Sequence, residues 1–166
     1  MTAATVSALP ALATERPADR PAVEGLIERA FGPGRYAKAA ERLREGNRPL
    51  LELSYVARQG GEIVGCVRMW PVRIGDTPAL LLGPFAVDPA CRSRGLGAAL
   101  VAHACEAAQS AGHRLIVLVG DEPYFGPLGF VRAPGLVMPG PVDPRRVLVR
   151  AFTPAAADGL AGPVRI

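Results

Sequence analysis

Val87-Asp88-Pro89-Ala90-Cys91-Arg92-Ser93-Arg94-Gly95-Leu96-Gly97, followed at once by Ala98-Ala99-Leu100-Val101, decides how this chain is read. Before it lies an apolar run, Leu80-Leu81-Leu82-Gly83-Pro84-Phe85-Ala86-Val87, which has the character of a strand and ends in a proline turn. Two arginines and two glycines come next, and then an alanine-rich helix begins. A strand, a glycine turn and a helix in that order make an anion cradle. The first amides of a helix have no intrahelical partners and point outward. The macrodipole favours negative charge there, so a phosphate is the natural ligand. Gly95 and Gly97 carry no Cβ, so a ligand can approach the backbone closely. Arg92 and Arg94 add guanidinium forks that suit phosphate oxygens.

Two familiar phosphate loops do not fit. No G-x-x-x-x-G-K-[ST] run occurs. The dinucleotide fingerprint G-x-G-x-x-G fails at its third glycine, which is Leu100 here. What stands is R-x-x-G-x-G, from Arg92 to Gly97. This motif resembles the acyl-CoA signature of the GNAT superfamily, the GCN5-related N-acetyltransferases. The resemblance takes in Val87-Asp88-Pro89 and the later Tyr124-Phe125-Gly126-Pro127-Leu128-Gly129-Phe130, a variant of the family's Y-x-x-x-G-F ending. It runs from Leu81 to Phe130 and, more weakly, back to Thr14. A tight strand-to-helix turn with surface arginines is the plain alternative, and it leaves the Gly-x-Gly and the paired arginines unexplained.

The resemblance implies an α/β fold: a mixed, mostly antiparallel central sheet, helices on both faces, and a bulged, splayed strand that forms the acyl-CoA cleft. It also implies acetyl-CoA as co-substrate. The activity implied is N-acetyl transfer from CoA to a primary amine. A non-catalytic acyl-CoA-binding or sensor module on the same fold is the competing reading, and another acyl donor or a hydroxyl acceptor is a third.

Length and composition agree with that class. At 166 residues, 49% hydrophobic and 20% charged, the chain reads as one globular domain, 1–166. Cys66, Cys91 and Cys105 form no even framework and no C-x-x-C, so neither a disulfide scaffold nor a zinc site is indicated. Cys66 and Cys105 read as core fillers. Two histidines without metal-spaced carboxylates argue for no metal. The longest apolar run is too short to span a bilayer, and residues 1–10 have no secretory pattern, so a cytoplasmic location and no membrane partner are expected. Net charge is +4, but the cations are dispersed and no stacking aromatics are interleaved with them, so nucleic acid is not an expected partner. A homodimer is a possible assembly.

Residues 1–12 read as a disordered end or as a first edge strand. Apolar spacing at Val23, Leu26, Ile27 and Ala30 predicts a first helix, ended by Gly32-Pro33-Gly34. Arg35 to Arg44 is expected as a second helix. Leu51 to Arg58 and Glu62 to Ile74 read as strands joined by a Gln59-Gly60-Gly61-Glu62 hairpin. Ala79 to Val87 is the next strand. Gly83-Pro84 inside it predicts a bulge or an unpaired edge, since proline donates no amide to a ladder. Leu96 to Ala111 reads as a helix with Leu96, Leu100, His103, Ala104, Ala107 and Ala111 on one face and Gly112 behind its end. Leu115 to Val119, a short helix from Pro123, and Val147 to Phe152 complete the pass, with a loop over residues 134–144.

The chemistry follows from the cradle. The amides of Arg94, Gly95, Leu96, Gly97 and Ala98, with Arg92, are expected on the CoA pyrophosphate, and main-chain groups of Phe85, Ala86 and Val87 on pantetheine. A helix dipole is worth only about 0.3–2 kcal/mol, against about 8 kcal/mol for micromolar binding, so these groups must act together. An amine with a pKa near about 10.4 is almost wholly protonated at neutral pH, so transfer needs a base. Glu62, Asp88, Asp121 and Glu122 are candidates beside water, and His103 reads as a packing residue. The resemblance places an acid tyrosine where this chain has Phe125. Either Tyr124, its neighbour, about 100° away on a helix, substitutes through a shifted helix, or water protonates the thiolate. Arg35, Tyr36, Val137 and Met138 are expected near the acceptor, and Trp70, which could also line it, reads as core or interface rather than as a substrate platform.

Overall fold

The computed structural model describes residues 9–92 and 94–166. The part of the end assignment that falls on residues 1–8 lies outside the described residues, as does Ser93 of the cradle. Strand β1 (Ala11–Thr14) opens the described chain and pairs with β2 (Tyr55–Gln59), so it is an edge strand. A single 3-10 turn at Pro17–Asp19 leads into α1 (Arg20–Phe31), whose Val23, Leu26 and Ile27 are buried. Burying each of those side chains is worth about 1.5–3 kcal/mol.

The second helix differs from expectation. Pro33–Ala37 is a 3-10 turn, and α2 covers only Ala39–Arg42. Lys38 between them is extended, with ψ 144°, so the helical ladder breaks there. Strand β2 also starts later than its alternation suggests, because Leu51–Leu53 forms a 3-10 turn.

The hairpin from β2 to β3 (Glu62–Ile74) turns at Gly60 and Gly61, with φ of 59° and 82°, the left-handed values that the Gly-Gly pair makes available. Strand β4 (Thr77–Val87) returns antiparallel to β3. Val67 pairs with Phe85 and Met69 with Leu82, so Gly83 and Pro84 stand opposite the single residue Arg68. This is the bulge expected from Gly83-Pro84. The Trp70 indole donates to the Gly83 carbonyl at 2.5 Å and holds it in place.

After the cradle comes α3 (Leu96–Ser110), then β5 (Leu115–Val119), α4 (Glu122–Phe125), β6 (Val131–Arg132), β7 (Leu136–Val137), β8 (Val147–Ala151) and β9 (Gly162–Arg165). The sheet runs β1-β2-β3-β4-β5-β8-β6. Along that path only β4 and β5 are parallel, and they pair at only two places, Leu80 with Ile116 and Leu81 with Val117. Beyond the bulge, β4 leaves β5. The sheet is mixed, mostly antiparallel, and split at that point.

Helices cover both faces. Val56, Cys66 and Ala86 pack under α1, while Tyr55, Ala57, Val67 and Met69 pack under α3. Alternate residues of one strand therefore feed opposite layers. The buried stripe of α3 is Leu96, Leu100, Val101, Ala104, Cys105 and Ala108. This corrects the expected face. His103 is exposed, with its ring edge-to-face on Tyr55 at 4.6 Å. Val101, Cys105 and Ala108 take the sheet side instead.

Buried charge ties α1 to the sheet. Arg68, at the bulge, donates to both carboxylate oxygens of Glu15 at 2.7 and 3.0 Å and to Glu24 on α1 at 2.7 Å. Burial opposes charging Arg68, but the Glu15 and Glu24 hydrogen bonds outweigh it and raise its pKa. Cys66 and Cys105 are buried, and burial pushes their thiols up to about 12 and about 11. Among the described residues no helix is long and apolar enough to cross a membrane.

Candidate active site

Two cavities open where β4 and β5 part. The smaller, about 430 Å³, lies between the end of β4 and the start of α3. Phe85, Ala86, Val87, Arg92, Gly95, Leu96, Gly97 and Ala98 all line it, and so does Tyr124. Arg94 is exposed and lines neither of the two cavities.

The local backbone explains the convergence. Asp88 caps the turn at Pro89–Cys91 by accepting from the Ala90 amide at 2.9 Å. Gly95 is left-handed, with φ 76°, and sits just ahead of α3. Among the described residues the first helical bond is Ala99 N–H to Gly95 C=O at 3.0 Å. The amides of Leu96, Gly97 and Ala98 therefore precede the ladder and face outward. Along the split edge of β4, alternate residues turn both backbone groups away from β3. One of these groups is already used, since Arg92 Nε donates to the Val87 carbonyl at 3.2 Å. Arg92 thus braces the strand end as well as lining the cavity. Leu96 supplies its backbone, because its side chain is core.

Gly97 has a reason beyond ligand approach. A Cβ there would stand 2.6 Å from the Tyr124 hydroxyl and 2.8 Å from Phe85 Cζ. Two of the chain's own aromatic rings occupy the space that a side chain would need.

Phe125 and Tyr124 divide as a helix dictates. Phe125 is buried, its ring 5.9 Å from Phe130 and lodged where a Cβ on Gly120 would be 2.4 Å away. Tyr124 is turned out of the core, its ring 6.0 Å from Phe85 and its hydroxyl at the start of α3. Burial raises the Tyr124 pKa above its usual 10, so the phenol is protonated at neutral pH.

The larger cavity, about 480 Å³, lies between the bulge, the strand end at 118–121, the segment 35–44 and the segment 141–146. Phe31, Phe85 and Tyr124 line both cavities, so the two share one wall. Of the residues expected near the acceptor, Arg35 lines this cavity. Tyr36 is exposed and instead accepts from Arg35 Nη2 at 2.7 Å. Trp70 is buried and braces the bulge. Val137 and Met138 do not line it. Phe31, Lys38, Arg44, Asp143 and Arg146 do, and sequence reasoning passed over all of them. Only Phe31, next to a Gly-Pro-Gly break, carried a local signal of exposure at a helix end.

The candidate bases also separate. Asp121 lines the larger cavity and accepts from Arg146 Nε at 3.1 Å. Asp88 is used as a turn cap, Glu122 pairs with Arg132, and Glu62 is exposed in the hairpin. No group of three or more metal-ligating side chains occurs among the described residues.

Comparison with known proteins gives three findings. A model of the acetyltransferase (GNAT) family matches residues 21–125. The uncharacterized N-acetyltransferase YhbS of Escherichia coli K12 is 31% identical over 119 residues, 70% of each chain. Among solved structures, E. coli YhbS in complex with CoA superposes with a TM-score of 0.81 at 28% identity, covering 97% of this chain and 92% of that one. A GNAT family acetyltransferase from Brucella melitensis in complex with acetyl-CoA gives 0.70 at 28% identity, covering 94% of each.

Proposed function

From its membership of the acetyltransferase (GNAT) family, to which this chain belongs, we propose that it moves an acetyl group from acetyl-CoA to a primary amine by direct transfer. The observation that carries this reading is the shared wall: Phe31, Phe85 and Tyr124 border both the cradle cavity and the larger cavity. A donor held in one meets an acceptor held in the other there, which turns a bimolecular step into a positioned one.

The residues present fit the co-substrate. The amides of Leu96, Gly97 and Ala98 at the helix start, and the left-handed Gly95, suit a pyrophosphate. The split edge of β4 over Phe85, Ala86 and Val87 suits the amides of pantetheine. Similarity to proteins solved with CoA and acetyl-CoA supports the assignment. Bound there, acetyl-CoA supplies an activated thioester carbonyl.

The chain's own groups do the rest. Main-chain amides of the split β4 edge beyond the bulge, over Phe85 to Val87, would polarise that carbonyl. The acceptor amine, once neutral, forms the N–C bond as the C–S bond breaks, and its surplus proton leaves to water or to Asp121. Tyr124, protonated and at the shared wall, gives the proton that the departing sulfur needs.

The first experiment is a calorimetric titration with acetyl-CoA, free CoA and ATP, followed by thiol release across a panel of amines. Micromolar binding of both CoA species with little ATP binding, and thiol release with at least one amine, is expected. No binding of any CoA species overturns the cradle assignment. Binding without turnover across the panel overturns the transfer step.

A further inference from the structure

The larger cavity has a distinct chemistry. Arg35, Lys38, Arg44 and Arg146 line it against Asp121 and Asp143. Three of these charges are already spoken for, since Arg146 bonds Asp121 and Asp143 is gripped by Arg145 at 2.9 Å. Lys38 lies over the Phe31 ring at 4.7 Å. Arg44 and Arg35 are different.

Arg44 has a side chain only 13% exposed. Its Nη1 donates to Glu41 at 3.0 Å, and its Nε–H is buried with no hydrogen-bond partner among the described residues. Its guanidinium lies at the bulge, with Nη2 2.8 Å from where a Cβ on Gly83 would stand. Arg35 is 11% exposed. Its Nη2 serves Glu24 and Tyr36, but among the described residues its Nε–H is also buried without a hydrogen bond, the Glu28 carboxylate standing off at 3.6 Å. Two buried guanidinium groups on one cavity wall thus each keep an unbonded donor. Folded proteins rarely leave buried donors unpaired, and the guanidinium fork matches a carboxylate in shape and charge. Burial first, then the neighbouring charges of Arg35 and Arg68, lower the Arg44 pKa in spite of Glu41, so a further anion would relieve Arg44.

We propose that the acceptor is an amine that also carries a carboxylate, and that Arg44 and Arg35 receive that carboxylate beside the Gly83-Pro84 bulge. This rests on the acetyl-transfer reading, which assigns the larger cavity to the acceptor. The arrangement places the anionic end on the wall of 35–44 and leaves the amine to reach the shared aromatic wall.

The test separates the two. CoA-saturated protein is titrated calorimetrically with straight-chain amino carboxylates, from glycine through β-alanine to longer homologues, each beside its own carboxamide. At least one carboxylate binds about tenfold or more tighter than its amide, as a charge-assisted pair requires. Arg44→Gln erases that ratio while CoA affinity holds, and Arg44→Lys keeps part of it. Thiol release is followed in parallel. Binding with preference but without turnover refutes the transfer step and leaves only the carboxylate site of Arg44 and Arg35 standing. Turnover with no preference for the carboxylate overturns this inference alone. Equal affinity in every pair, including no binding in any, overturns it, and so does loss of CoA affinity in Arg44→Gln, which would put the guanidinium on the co-substrate.

Discussion

Substituting alanine for Gly97 tests whether this glycine serves the ligand or the chain's own rings. An added Cβ would sit 2.6 Å from the Tyr124 hydroxyl and 2.8 Å from Phe85 Cζ. Reaching ordinary contact at 3.4 Å moves the hydroxyl by about 0.8 Å and the ring atom by about 0.6 Å. Both are far ends of side chains, so the fold can yield. Pushing each ring off its rotamer costs about 0.5–1.5 kcal/mol. Replacing a helical glycine returns up to about 1 kcal/mol. The net change is within about 3 kcal/mol, so Tm moves by no more than about 6–12 °C in a chain of this size. Turnover responds far more, because a displacement near 1 Å at reacting groups costs about 10²-fold. Gly97→Ala is therefore expected to melt near the parent, to keep CoA binding within about tenfold, and to lose about 10–100-fold in kcat. Differential scanning calorimetry, CoA titration and thiol release read the three quantities. A kcat within twofold of the parent would refute the ring-packing argument. A collapse of Tm would show that the rings cannot move.

Other predictions follow from the same geometry. Tyr124→Phe slows turnover by about 10²–10⁴-fold with CoA affinity intact if its proton reaches the leaving sulfur, and equal kcat removes it from the mechanism. Adding a hydroxyl by Phe125→Tyr in that variant does not restore activity, because the Phe125 ring faces Gly120 and Phe130 in the core; recovered thiol release would contradict the orientation. Arg68→Met strands the buried Glu15 and costs about 3–5 kcal/mol, or roughly 6–20 °C in Tm; a change under about 2 °C would mean the pair is not buried as described. Thermal stability also depends on pH. Burial raises the Asp19 and Glu24 carboxyls, but hydrogen bonds from Arg58 and Arg68, respectively, outweigh it and leave both lowered from the ordinary 3.8 and 4.5. Groups lowered in the fold stabilise it above those values and stop doing so as pH falls through the folded ones. Tm is expected to hold from neutrality to about pH 5 and to fall below about pH 4.5; a Tm that stays flat to about pH 3 would refute this. Cys66 and Cys105, buried with thiols at about 12 and about 11, should resist alkylation at pH 8 until the protein unfolds. Rapid labelling of either, read by peptide mass, would contradict their burial.

Several features were legible because local chemistry dictates them. Gly60-Gly61 can make a tight hairpin whatever surrounds it, and Gly83-Pro84 cannot continue a ladder. The Arg92-to-Gly97 motif announces a helix N-terminus whose amides lack partners. The errors share a cause. The segment 35–44 has helical composition, but an extended Lys38 breaks it in two. His103 fits a helical face by spacing, yet α3 is rotated so that Val101 and Cys105 meet the sheet. Met138 fits an acceptor loop by its place in the chain, yet it is buried and does not line the larger cavity.

The sequence by itself determined the strand-turn-helix cradle, the bulge and the family, because each rests on backbone rules that act over a few residues. Only the tertiary structure decided what that cradle faces. Arg68 meets Glu15 from 53 positions away, and Arg146 meets Asp121 from 25. Which of Tyr124 and Phe125 turns inward depends on Gly120 and Phe130. The convergence of Arg35 and Arg44 on the split between β4 and β5 depends on how segment 35–44 lies against the sheet. Such meetings are set by packing between distant segments, and no local pattern encodes them.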